Sequence, residues 1–151
     1  MKASTVNKTV GNRFEQELCD LLAAQGFWAH NMAQNHDGQP ADVIACINDV
    51  PFLIDCKMCA NDTFPLSRIE DNQHTAMQLF EDRGNTGAYF ALKLSTGEIF
   101  MHSYESLKYF MDNGGKTLNR HQIEVGGDRF EDWVESVIDD VYGDRLQDYD
   151  Y

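Results

Sequence analysis

The stretch QPADVIACINDVPFLIDCKMC, residues 39–59, reads as two short apolar strands, DVIACI and PFLIDCKM, on either side of Asn48-Asp49. Asn and Asp suit the two-residue hairpin turn that needs positive φ at both central positions. With that turn Ile47 faces Val50, Ile44 faces Leu53, and Asp42 falls opposite Asp55. Cross-strand Cβ atoms lie about 4.5–5.5 Å apart, so like charges placed this way are destabilising. A divalent cation removes the objection, because Mg²⁺ is commonly held by one or two carboxylates. Side chains alternate along a strand, so Lys57 shares the face of Asp55, while Phe52, Ile54, Cys56 and Met58 take the other. Two acids and an amine around a metal suit phosphodiester hydrolysis. The metal polarises the phosphate and activates a water, and the lysine orients that water or stabilises phosphorane charge. The residues equally admit a plainer reading, in which strand ends emerge into solvent and carry a Lys–Asp pair of little energetic value.

Working outward, Val10, Phe14, Leu18, Leu21 and Leu22 recur at helical spacing, which predicts a helix over 9–24 that stops at Gly26. Glu15 sits on the border of its apolar stripe, where a carboxylate can lean over a sheet edge or simply be solvated. FWAHNMA (27–33) predicts a strand and NHDGQP a loop. A second helix is expected over 67–82, with Ser67 and Glu70 spaced like a capping box; Gln73 on it reads as a surface polar residue. GAYFALKL and EIFMHS form strands joined by a Ser-Thr-Gly turn. Helices over 104–111 and 129–142 follow, and an acidic, flexible tail is expected over 143–151. The order α-β-β-β-α-β-β-α predicts an α/β (α+β) domain spanning 1–142, with a mixed sheet flanked by helices.

The chain has 151 residues, 42% of them apolar, and its nine Phe, six Tyr and two Trp supply bulk for one core. The net charge of −13 argues against nucleic-acid binding. The acidity is uneven, however: from His121 onward two Arg stand against ten acids, whereas ten Lys or Arg stand against fifteen acids before it. The Asp residues at 139, 140, 144, 148 and 150 read as solubilising, or as a segment that competes with DNA for a basic face. No segment matches a signal peptide or a membrane span, and the four cysteines fit a reducing, cytoplasmic setting. No Gly-rich phosphate loop is present, so no nucleotide cofactor is expected. The CxxC of Cys56 and Cys59 has metal-like spacing, but residues three apart on a strand face opposite ways. The thiols are expected to be structural, with Cys46 and Cys56 sharing the inner face. His30 and His36 flank the loop without a ligand spacing such as HxH.

Gly11-x-x-Phe14-Glu15 on a first helix, Pro40-Ala41-Asp42 at a strand start and Asp55-Cys56-Lys57 in the next strand resemble the PD-(D/E)XK nuclease superfamily. FPLSRIEDNQ (64–73), the strand pair GAYFALKL and EIFMHS, and TLNRHQIEVGG resemble the RecU-type Holliday-junction resolvases in particular. This chain looks like a short, phage-like version, since only about seventeen residues separate the first helix from Asp42 and leave no room for the family's protruding stalk. The resemblance implies a restriction-endonuclease-like core and Mg²⁺-dependent cleavage of branched DNA by a homodimer, with Mn²⁺ as a substitute. It implies metal ligation by Asp42, Asp55 and the Cys56 carbonyl with Glu15 in support, and a catalytic Lys57. It also places Gln73 near the site or the DNA, and Arg68, Arg13 and Lys8 beside the DNA. Two other readings accompany it: an idle binding module on the same fold, and a restriction- or repair-type nuclease acting on other DNA structures.

Overall fold

In the structure, a computed structural model that describes residues 2–32 and 39–147, with side chains described over 13–32 and 39–143, the hairpin is the organising element. Asn48 and Asp49 take φ of 47° and 70°, both left-handed, as a type I′ turn requires. They join β2 (Val43–Ile47) to β3 (Val50–Cys59), and Ile47 pairs with Val50 and Ile44 with Leu53, the register the sequence predicts. The Asn48 side chain donates to the carbonyl of Val141 at 2.6 Å, which fixes the turn against the C-terminal helix.

Four further strands complete a six-stranded sheet: β1 (Trp28–Asn31), β5 (Ala88–Leu94), β6 (Ile99–Ser103) and β8 (Asp128–Arg129), in the order β1-β2-β3-β5-β6-β8. All neighbours are antiparallel except β3 and β5, which run parallel. Parallel neighbours need a crossover, and the chain between them holds a small strand β4 (Phe64–Pro65), a 3-10 turn (Leu66–Arg68) and helix α2 (Asp71–Asp82). Strand β7 (Thr117–Leu118) pairs with β4.

Helices cover both faces, so the alternation along each strand sorts residues into two cores. One core packs α1 (Lys2–Ala24) and α5 (Phe130–Gln147) on the sheet, through Phe14, Leu18, Leu22, Ala45, Ile54, Trp133 and Val134. The other packs α2, α3 (Tyr104–Asp112) and α4 (Arg120–Gly126), through Met77, Phe90, Leu92, Leu107 and Ile123. Gly26, at φ 95°, follows the end of the first helix as the sequence predicts.

Several expectations are corrected. The second helix begins at Asp71, because the chain first makes the 3-10 turn; the reciprocal cap is formed by Glu70 and Gln73, not Ser67 and Glu70. Helix α5 continues to Gln147, so the segment from 143 to 147 is helical where a flexible tail is expected; residues 148–151 lie outside the described residues. Cys46 pairs with Pro51 and Trp28 and therefore lies on the Asp55 face, not on the inner face with Cys56. Cys56 and Cys59 do face opposite ways, Cys56 against the first core and Cys59 within the second. All four thiols are free.

Candidate active site

Strand β2 begins only at Val43, so β3 from Asp55 to Cys59 has no β2 partner beside it, and this notch in the sheet holds the charged residues. Asp42 stands at its lip. Its Oδ2 accepts the Cys56 backbone N–H at 2.8 Å, and its Oδ1 accepts from the Gln39 side chain at 3.2 Å. The carboxylate thus replaces the ladder bond that β2 would have made to Cys56, which locks it beside Asp55.

Asp55 is fully buried, with 0% exposure. Its Oδ1 accepts from Gln73 Nε2 at 3.1 Å. Its Oδ2 faces the Lys57 ammonium at 3.2 Å without an aligned hydrogen bond, and is left as a buried oxygen lacking one. Gln73 is buried in α2 and both ends of its amide are used: Oε1 accepts the Glu70 N–H at 2.9 Å while Nε2 holds Asp55. One glutamine therefore caps the helix and orients the carboxylate.

Glu15 reaches the notch from α1, only 7% exposed. Desolvation, then the neighbouring Asp42 carboxyl, push its pKa up to about 7, with Lys57 opposing. Asp55 is likewise raised well above the usual carboxylate range, by desolvation first and Asp42 second, against the pull of Lys57. Three carboxyl groups thus converge, and both Glu15 and Asp55 resist ionising there. Lys57 has 13% side-chain exposure, against 0% for the Asp55 it pairs with.

A buried carboxylate oxygen with no aligned hydrogen bond, beside two more carboxyls, offers hard oxygen donors of the kind that suit Mg²⁺ or Mn²⁺. Among the described residues no group of three or more His, Cys, Asp or Glu is placed so that it could hold a metal ion; a site of two carboxylates completed by solvent does not require one.

Arg68 is exposed, donates to the Met58 carbonyl at 2.8 Å and lies 5.8 Å over the Phe64 ring, which moors it one residue from Lys57 on the β3 backbone. Arg13 is exposed on α1, two residues before Glu15. Lys8 lies on α1 with its side chain outside the described residues, and His36 lies outside them altogether. Gln39 was not singled out in the sequence; nothing but its place three residues before Asp42 marks it.

A search of solved structures matches Hjc, a Holliday junction resolvase from the archaeal hyperthermophile Archaeoglobus fulgidus, at a TM-score of 0.64 and 21% identity, covering 82% of this chain and 99% of that one. At that identity the likeness establishes the fold. No curated protein matches the sequence. The family model described as RecU, recombination protein U, matches residues 29–139, and the notch with Asp42, Asp55, Lys57 and Gln73 lies within that span. The chain belongs to the recombination protein U family.

Proposed function

We propose that this RecU-family chain is a Holliday-junction resolvase-like nuclease of recombination that hydrolyses phosphodiesters in branched DNA with a divalent metal, acting as a homodimer. The observation that carries the reading is the Asp55–Lys57 pair: a fully buried carboxylate ion-paired to a lysine at 3.2 Å through an oxygen that makes no aligned hydrogen bond, beside a second carboxylate. A fold selected only for stability does not retain such a group without compensation.

Asp42, Asp55 and the Cys56 carbonyl would hold Mg²⁺, with Mn²⁺ as a substitute and Glu15 in support. When bound, the metal supplies Lewis-acid activation and a lowered pKa for a bound water. The chain's own residues do the rest. Gln73 fixes the Asp55 carboxylate by its 3.1 Å bond. The Cys56 N–H fixes Asp42. Lys57, aimed along the Asp55 face, orients the attacking water or meets charge on the phosphorane. Arg68, moored to β3, borders the phosphate path, and Arg13 extends it along α1. Among the described residues no helix is long and apolar enough to cross a membrane.

The test is cleavage of labelled four-way junction, flap, duplex and single-stranded DNA in Mg²⁺ or Mn²⁺, by the wild type and by Asp55→Ala. Metal-dependent nicking of the junction that is lost in the variant supports the reading. Absence of cutting on every substrate, or cutting that survives the substitution, refutes it and leaves a binding module; cutting of duplex in preference to junction assigns a restriction- or repair-type nuclease.

A further inference from the structure

The edge strand β1 carries a feature that the phosphodiester chemistry does not use. Ala29 packs against the α1 core, and the Asn31 side chain meets Gln16 of α1. By alternation Trp28 and His30 therefore point to the opposite face, the one that carries Asp55 and Lys57. There Trp28 is 62% exposed, an unusual position for the largest apolar side chain. His30 is exposed too, and stacks on it with ring centroids 6.1 Å apart and planes 11° apart. Helices cover this face over β3, β5 and β6, but no described residue of β1 or β2 belongs to that second core, so the rings stand on open sheet. Ile44 and Cys46, their partners on β2, are half-buried and floor the patch.

The patch is continuous with the active site. The strand direction carries the row from Trp28 through His30 to Met32, whose N–H donates to the Asp42 carbonyl at 2.9 Å. Four residues of strand span about 13 Å, a reach of roughly two nucleotides of extended single strand. Among the described residues only aromatic and apolar groups project here, so the patch offers π-faces instead of phosphate contacts, and a π-face is accessible only on a base that has left the duplex stack.

The geometry points to Trp28 and His30 as a stacking platform for unpaired bases of the DNA strand that passes the Asp42–Asp55–Lys57 notch, a device that favours open branch points over intact duplex. The inference rests on the nuclease reading above. It adds a specificity element outside the chemistry.

The chain has two tryptophans, and Trp133 is 2% exposed, so DNA-dependent changes in indole emission report on Trp28. The full chain, with Ca²⁺ in place of Mg²⁺, is titrated with an oligodeoxythymidine strand, with a four-way junction carrying unpaired thymidines at its branch point, and with a blunt duplex. Quenching by the first two and not by the duplex is expected. Trp28→Ala should weaken binding of the two open substrates about 5- to 150-fold and leave the duplex unchanged, whereas Trp28→Phe should retain the preference. In Mg²⁺, Trp28→Ala should raise KM with kcat held. Unchanged binding by Trp28→Ala, or equal weakening on all three substrates, overturns the platform. A loss of dimer mass on sedimentation in the same variant, with no selective effect on open DNA, also overturns it and assigns the face to a second copy of the chain. A wild type that cuts DNA while the variant is indifferent fails the platform alone; a wild type that neither binds nor cuts DNA fails the nuclease reading beneath it.

Discussion

Asp55→Asn should make the metal-free protein more stable while abolishing cleavage. The substituted amide is nearly isosteric, and its oxygen keeps the 3.1 Å bond from Gln73. Its nitrogen takes the place of the oxygen that faces Lys57 at 3.2 Å, so that ion pair is lost, but the amide can donate to the Asp42 carboxyl beside it. Lys57 loses one partner but remains near Glu15, and it is the member of the pair that reaches solvent. Burial and Asp42 outweigh Lys57 in raising the Asp55 pKa, so its ionised form destabilises the fold. With the lost Lys57 ion pair set against it, the net gain from neutralising this charge is about 1–3 kcal/mol, or about 2 to 12 °C in Tm for a domain of this size. The sign follows from linkage: a carboxyl held above its unfolded value binds its proton more tightly in the fold, so wild-type stability falls as pH rises past the unfolded pKa. The gap between variant and wild type should therefore be small near pH 4 and widen toward pH 8. Urea denaturation in EDTA at both pH values measures it. Adding Mg²⁺ at a hundredfold excess over its Kd should return about 2.7 kcal/mol to the wild type and little to the variant. An Asp55→Asn protein that is less stable than wild type in EDTA at pH 8, or that gains as much from Mg²⁺, refutes the reasoning.

Glu15→Gln should flatten part of the wild-type stability loss between pH about 4.5 and about 7, the window over which the buried carboxyl resists ionising; discounted for screening, the effect is about 1–2 kcal/mol by denaturation at pH 8. Gln73→Ala removes both the α2 cap and the Asp55 anchor, and should cost about 1–2 kcal/mol of stability together with a fall in kcat, read by urea titration and junction cleavage. Gly87→Ala should destabilise by about 1–3 kcal/mol, because the added Cβ would lie 2.3 Å from the Pro51 carbonyl at the start of the β3–β5 pairing, with the backbone held by the Leu53 N–H at 2.9 Å; an unchanged Tm would contradict the close approach.

Residues 39–59 made the hairpin legible because a turn needing two positive φ values sits between two apolar runs, and once that turn is placed the register and the Asp42–Asp55 opposition follow. The same register contained the correct face of Cys46, since an odd-numbered partner at Pro51 puts it with Leu53 and Asp55. What escaped was set by tertiary contacts. Helix α4 buries only Ile123 in its seven residues, so it shows no amphipathic period, although its Asn119–Gln122 capping box is a sequence signal. Strands β4, β7 and β8 are two residues each, too short to alternate. The parallel pairing of β3 with β5 joins segments some thirty residues apart and leaves no local trace. Gln73 looked like a surface polar residue because its helix phase says nothing of an aspartate on another strand.

The most direct measurement is the single-turnover rate of nicking of an end-labelled four-way junction in Mg²⁺ by Lys57→Ala against wild type, with junction affinity measured in parallel. Loss of one group that stabilises the transition state predicts a rate drop of about 10²–10³-fold with affinity essentially kept. A Lys57→Ala protein that nicks the junction at the wild-type rate would contradict the assignment of the notch as the place where the chemistry occurs.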